Sequence, residues 1–212
     1  MNTDFEPVMA AQFAALQAAA TLNLVATAAA NSPILTDVSD FSGLFPGLPM
    51  FGPGVVRGAT ILSLDPEAAS LTLTAPIAAA ATDAAFTTGF LTTGRRRQHW
   101  SQVKAQPALY FVRIGATDEE DEPFVKTTLE AEAWIYANSG QNPNAVPDTM
   151  LGCLERMVRR CFVPVGADQL EGRFTLGRMV YWSRISGRTD AWPGDQGPQA
   201  VAKIPIRITL LP

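Results

Sequence analysis

The sequence predicts an α+β fold: a four-stranded, mainly antiparallel sheet with two helices packed on one face, plus a small β-hairpin insertion. Three observations predict it. Residues 7–30 and 148–162 have the composition or period of helices. Residues 107–114, 125–137, 176–190 and 200–211 read as strands, in pairs on either side of the second helix. A Pro- and Gly-interrupted stretch, 31–53, separates the first helix from an alternating segment that reads as a hairpin. The main body is therefore expected from 1–30 together with 95–212, and residues 31–94 as an inserted β-rich decoration.

Taken in order, PVMAAQFAALQAAATLNLVATAAA (7–30) is dominated by Ala, with Phe13, Leu16, Leu22 and Leu24 interspersed, which favours one helix fraying after Ala20. The connector 31–53 carries Phe41, Leu44, Phe45, Leu48 and Phe51, too apolar for a free linker. In GATILSLDPEAASLTLTAP, Thr60, Leu62 and Leu64 alternate with Ile61 and Ser63, DPEAA turns the chain, and Leu71 and Leu73 alternate with Thr72 and Thr74. Two strands alone are marginal, so this hairpin must lean on the main body or on another subunit, with residues 82–93 offering a third strand.

PALYFVRI (107–114) is aromatic and β-branched, and in VKTTLEAEAWIYA (125–137) Leu129, Ala131, Ala133 and Ile135 oppose Thr128, Glu130, Glu132 and Trp134. TDEEDEP between them is a solvated hairpin tip. In DTMLGCLERMVRRCF, Leu151, Leu154, Val158 and Cys161 form one apolar stripe, Met150 and Met157 widen it, and Asp148 is a candidate N-cap after Pro147. In the last strand Ala202, Ile204, Ile206, Ile208 and Leu210 oppose Val201, Lys203, Pro205, Arg207 and Thr209. Pro205 lacks a backbone donor and favours an edge or a bulge. The sheet face carrying Glu130, Glu132, Trp134, Lys203 and Arg207 is left to be covered or wet.

Composition narrows the function. With 47% hydrophobic and only 17% charged residues, against roughly a quarter charged in an ordinary soluble domain, much of the surface must be Ala, Thr, Gly and Pro, a surface suited to a neighbouring subunit. Residues 1–94 carry one basic and seven acidic side chains, and residues 95–212 fifteen basic and thirteen acidic. That second half is far from the basic stripe that a phosphate backbone requires. No run approaches the roughly 20 apolar residues of a membrane span, and MNTDFEP is acidic where a signal peptide is basic. The expected location is a cytoplasm or a particle assembled there. Cys153 and Cys161, eight residues apart on one helix at about 1.5 Å each, stand roughly 12 Å apart, too far for a disulfide.

Catalytic ingredients are few. His99 is the only histidine, no G-x-S-x-G marks a nucleophile, and no H-E-x-x-H or paired C-x-x-C marks a metal. GPGVVRG (52–58) has its third glycine one place late for a dinucleotide turn and follows a connector instead of a strand. Glu130 and Glu132 share one side of a strand, as acid/base carboxylates would, and equally form a solvated or subunit-facing row beside Lys203 and Arg207. The expectation is a chain without catalytic residues or cofactor.

The stretch GRRRQHW (94–100) concentrates the remaining chemistry. Arg95, Arg96 and Arg97 beside Trp100 match the content of protein interfaces, where Arg and Trp serve as anchors. They equally suit a plain charged surface, or a grip on phosphates with Trp100 and Trp182 as stacking platforms.

RRRQHWSQV followed by QPALYFVR, a long strand ending in WIYAN, a helix beginning PDTMLGCLERM, LGRMVYWSRISGRTD, and GDQGPQAVAKIPIRITLL together resemble the lambda-type tail terminator and minor tail proteins of tailed bacteriophages. The resemblance spans residues 95–212. It implies a small α+β subunit that closes as a homo-hexameric ring on the last ring of the tail tube protein, stops tube polymerisation and presents a surface to the head–tail connector or neck protein. DNA would cross the lumen only transiently, the sheath would be met in contractile tails, and there is no cofactor, no catalytic residue and no membrane. The implied location is the head-proximal end of the virion tail. Arg95, Arg96, Arg97, Trp100, Glu130, Glu132, Lys203 and Arg207 are the candidate subunit or tube contacts. Residues 31–94 depart from the family pattern and resemble β-structured decorations of phage structural proteins.

Overall fold

The computed structural model describes residues 5–103, 107–121, 124–138, 147–192 and 199–210. Its elements are α1 (Glu6–Ala19), β1 (Leu22–Ala28), β2 (Ile34–Thr36), β3 (Met50–Phe51), β4 (Ile61–Asp65), β5 (Ser70–Leu73), β6 (Ala81–Thr88), β7 (Thr92–Gly94), β8 (Ala108–Asp121), β9 (Phe124–Asn138), α2 (Pro147–Arg160), α3 (Ala167–Glu171), β10 (Trp182–Ile185), β11 (Asp190–Trp192) and β12 (Gln199–Thr209). The first six strands form one sheet in the order β3-β6-β1-β2-β5-β4; the others form a second, β10-β12-β9-β8-β7, with β11 also on β12.

The expected fold class is thereby corrected. Among the described residues the chain is mostly β, 43% strand against 19% helix, in two sheets of six strands each, not one four-stranded sheet with two helices. The largest single error lies at β1, which was expected as the tail of the first helix. Its Ala-rich composition suits a helix, but Thr27 and Val25 are β-branched and its burial alternates, with Leu24, Ala26 and Ala28 inward. Antiparallel pairing of Leu22–Ala28 with β6 along Leu22↔Thr88 to Ala28↔Ala81 decides the matter. The helix ends where Thr21 Oγ1 donates to the Gln17 carbonyl at 2.9 Å.

The insertion is likewise more than a hairpin. The β4–β5 pair is there, with a bulge between Ile61 and Ser63, and β5 continues through β2 to β1. The GPG turn has a steric cause: Gly54 has φ +69°, and a Cβ there would come within 2.6 Å of the Ala79 carbonyl oxygen. Gly54 serves this backbone approach, while Gly52 leaves room for the Phe86 ring.

In the second sheet, β12 lies between β9 and the short strands β10 and β11, which replace the single strand expected over 176–190. Leu176 and Arg178 sit at φ 53° and 70°, so the chain turns there before β10 can start. Pro205 occupies the gap between β10, which ends opposite Ile206, and β11, which starts opposite Lys203. Its carbonyl accepts from Ser186 N at 2.9 Å. A strand residue's N and C=O point the same way, so the missing donor faces that gap and no ladder bond is lost. β7, parallel to β8, closes the other edge over Ala108–Tyr110.

The core is continuous across both sheets and the helices: Met9 and Leu16 of α1, Leu151, Leu154, Met157 and Val158 of α2, the inward residues Leu129 to Ala137 of β9 and Ala200 to Ile208 of β12, and Leu35, Leu71 and Phe86 of the first sheet. Gln12 and Ser183 are polar residues buried within it. Gln12 Oε1 accepts from Ser183 Oγ at 2.6 Å, while its Nε2 faces Cys161 Sγ at 3.5 Å, joining α1, α2 and β10. Burial pushes the Cys161 thiol up to about 12. Asp148 stands in the first turn of α2, where its charge suits the helix dipole; the position before Pro147, Glu122 and Pro123 of the expected tip, and residues 193–198 of the family-like stretch lie outside the described residues.

Candidate assembly interface

The three arginines that follow β7 part company. Arg95 makes a bidentate pair with Glu6 of α1, at 2.9 and 3.1 Å, which ties the segment to the first helix. Arg97 lies with its guanidinium 3.7 Å over the Trp134 ring of β9. Arg96 is exposed between them. His99 accepts from Ser101 N, with its Nδ1 2.8 Å from Ser101 Oγ, and so caps the short 3₁₀ turn Trp100–Gln102. Trp100 is 52% exposed, its ring 5.4 Å from that of His99.

This segment packs on the outer face of the second sheet at Trp134 and Tyr136, the face left open by the sequence pattern. Val103, Ala108, Tyr110, Trp134 and Tyr136 form a small second core there. Tyr136 Oη donates to the Gln98 carbonyl at 2.8 Å, and Trp134 stacks parallel on Trp192 at 6.1 Å. Each such buried aromatic is worth about 1.5–3 kcal/mol of transfer free energy, enough to hold the arginine segment against the sheet. Burial also raises the phenol pKa of Tyr136 and Tyr110.

Beyond the aromatics the same face is a cross-strand charge ladder. Glu130 faces Arg207 at 3.6 Å. Glu132 accepts from Trp134 Nε1 at 2.9 Å and lies 3.8 Å from Lys203. Lys203 pairs more closely with Asp190 of β11, at 2.8 Å; that hydrogen bond raises the Lys203 pKa and lowers that of Asp190. Glu130 and Glu132 are thus each matched to a cation, and Arg207 Nε, buried without a partner, borders a shallow groove of about 160 Å³ lined by Ile114, Glu130, Glu132, Ser186 and Pro205. The arrangement is a self-neutralised β surface.

The structure therefore brings Arg97, Glu130, Glu132, Lys203 and Arg207 onto one face and separates Arg95, Arg96 and Trp100 from it. Sequence reasoning missed Asp190, Trp192, Tyr110 and Tyr136. Tyr136 was findable, being two residues past Trp134 on the same strand; Asp190 and Trp192 needed the pairing of β11 with β12. Trp182 is covered by the Arg184 guanidinium at 4.1 Å. Among the described residues no group of three or more His, Cys, Asp or Glu is placed to hold a metal ion, and no helix is long and apolar enough to cross a membrane.

No protein-family model matches the chain, and no curated protein does.

Proposed function

We propose that the chain is a structural subunit of a phage tail, the terminator ring that caps the head-proximal end of the tail tube and receives the neck. The observation that carries this reading is the outward display of Arg96 and Trp100 on a segment whose Arg95 and Arg97 are tied back into the chain. An Arg and a half-exposed Trp held on a braced segment have the make-up of an interface anchor. Supporting it are the family-like residues 95–212, the low charge density, and an outer sheet face whose charges are paired within the chain. A ring is built from identical head-to-tail contacts, each needing two complementary patches on one subunit. The partners on this reading are five further copies, the last ring of the tube protein and a connector or neck protein, and the location is the virion.

The test is assembly. Native mass spectrometry or light scattering should find hexamers in solution or on the ends of isolated tail tubes. A chain that stays monomeric under all these conditions, or that retards labelled DNA with an affinity falling steeply as salt rises, overturns the proposal.

A further inference from the structure

The β8–β9 hairpin outruns the sheet it belongs to. β12 accompanies β9 only as far as Thr209↔Thr128, with Leu210 N reaching the Thr127 carbonyl at 2.9 Å. β7 accompanies β8 only over Ala108–Tyr110. From Asp118↔Thr127 through Glu119↔Lys126 to Asp121↔Phe124, the two strands pair only with each other among the described residues. A two-stranded ribbon of this kind is marginal in water on its own, and its free edges are templates for another chain. Its chemistry is one-sided: residues 117–127 contain five carboxylates and one lysine. The one ion pair described on it, Glu119 to Lys126 at 3.9 Å, is internal and loose. Val125 adds an exposed apolar side chain, 55% open to solvent.

The opposite charge stands around β10, which flanks β12 on the side away from β9. Residues 172–189 contain Arg173, Arg178, Arg184 and Arg188 and no carboxylate. Arg178, Arg184 and Arg188 are exposed. The Arg184 guanidinium is held in place over the Trp182 ring at 4.1 Å, so less side-chain entropy is lost when a carboxylate arrives; Arg173, over Tyr181 at 4.2 Å, already pairs with Glu171 at 2.6 Å. Met179 and Tyr181, 45% and 44% exposed, supply apolar contact. Among the described residues no ion pair joins ribbon and arginine face within the chain.

We infer that the acidic ribbon of one copy docks on the Arg178–Arg188 face of a second copy, making the head-to-tail contact of the ring. The two surfaces are different and of opposite charge, as a heterologous closing contact requires. This rests on the ring reading of the function and specifies its interface.

The experiment is a charge swap read by native mass spectrometry, with thermal melts as the folding control. Asp118→Lys with Glu119→Lys, and separately Arg184→Glu with Arg188→Glu, should each lower the oligomer fraction at least tenfold while the monomer still melts as a folded chain, since all four side chains are exposed and the contacts they lose within the chain, Thr127 to Asp118, Lys126 to Glu119 and Arg184 over Trp182, lie at the surface. The two double variants mixed in equal amounts should assemble as alternating copies, since each reversed surface then meets its complement; the quadruple variant, in which both surfaces are reversed, should restore assembly by itself. Raising the salt should weaken the wild-type contact, because screening acts over about 10 Å at 0.1 M. Oligomers of unaltered stability in both double variants, or no recovery in the quadruple variant, overturn the docking while leaving the ring intact. A wild-type chain that never oligomerises overturns the ring reading, and the contact with it.

Discussion

The Arg97 guanidinium sits 3.7 Å above the Trp134 ring, and that contact divides a run of three arginines into one that braces and one that is displayed. Arg97 holds the loop down on the outer sheet face, Arg95 fastens it to α1 through Glu6, and Arg96 is left facing outward. Arg97→Ala should therefore cost about 0.5–1 kcal/mol of folding stability, the size of a cation–π contact at an exposed site, measured by urea unfolding. Trp134 fluorescence should change in the folded state. An unaltered midpoint and spectrum would mean the loop does not depend on this contact.

Arg96→Ala and Trp100→Ala should behave in the opposite sense. Each should leave the melt of the monomer within experimental error and weaken subunit association by on the order of 2 kcal/mol per contact. Light scattering over a dilution series reads the shift, and full assembly of both variants would remove this pair from the interface.

The buried Gln12 offers a test of the core. Gln12→Met keeps the volume but leaves the Ser183 hydroxyl without its acceptor, and an orphaned buried polar group costs about 1–3 kcal/mol. Adding Ser183→Ala should recover most of the loss. If the double variant is no more stable than the single one, the Gln12–Ser183 bond is not what fixes α1 against β10.

Alkali should destabilise the fold through Cys161. Its folded pKa, raised by burial from 9.0 to about 12, lies above the unfolded value, so between the two the unfolded chain gives up a proton that the folded chain retains. Stability from this group is intact below pH 9 and declines as pH rises toward 12. Melts across that range should fall less steeply for Cys161→Ala than for the wild type, and Cys161 should resist thiol reagents at neutral pH until the chain unfolds. Equal slopes would show that the thiol is not shielded.

The strands after residue 106 and the second helix were legible because their side chains alternate with a period that only one secondary structure satisfies. Leu129 to Ile135 and Ala202 to Ile208 could be assigned a face from spacing alone, and both faces are buried as expected. The outward row of Glu130, Glu132, Lys203 and Arg207 followed from the same alternation. Their pairing did not, since the register Arg207↔Glu130 is a property of two strands far apart in the chain. β1 failed for a related reason. Seven residues of Leu, Ala, Val, Thr and Asn suit a helix or a strand nearly equally, and the choice falls to whichever neighbour supplies hydrogen bonds, here β6, more than fifty residues later.

Composition and periodicity by themselves determined a folded, weakly charged chain with few ingredients for catalysis, a strand-rich C-terminal half and an amphipathic helix at 148–162. The tertiary structure alone decided that there are two six-stranded sheets around a shared core. It also decided that adjacent arginines have separate partners, and that the β8–β9 ribbon runs past its neighbours. The physical reason is range: side-chain period and propensity act over a few residues, whereas strand pairing, stacking and ion pairing join residues that only the folded chain brings together.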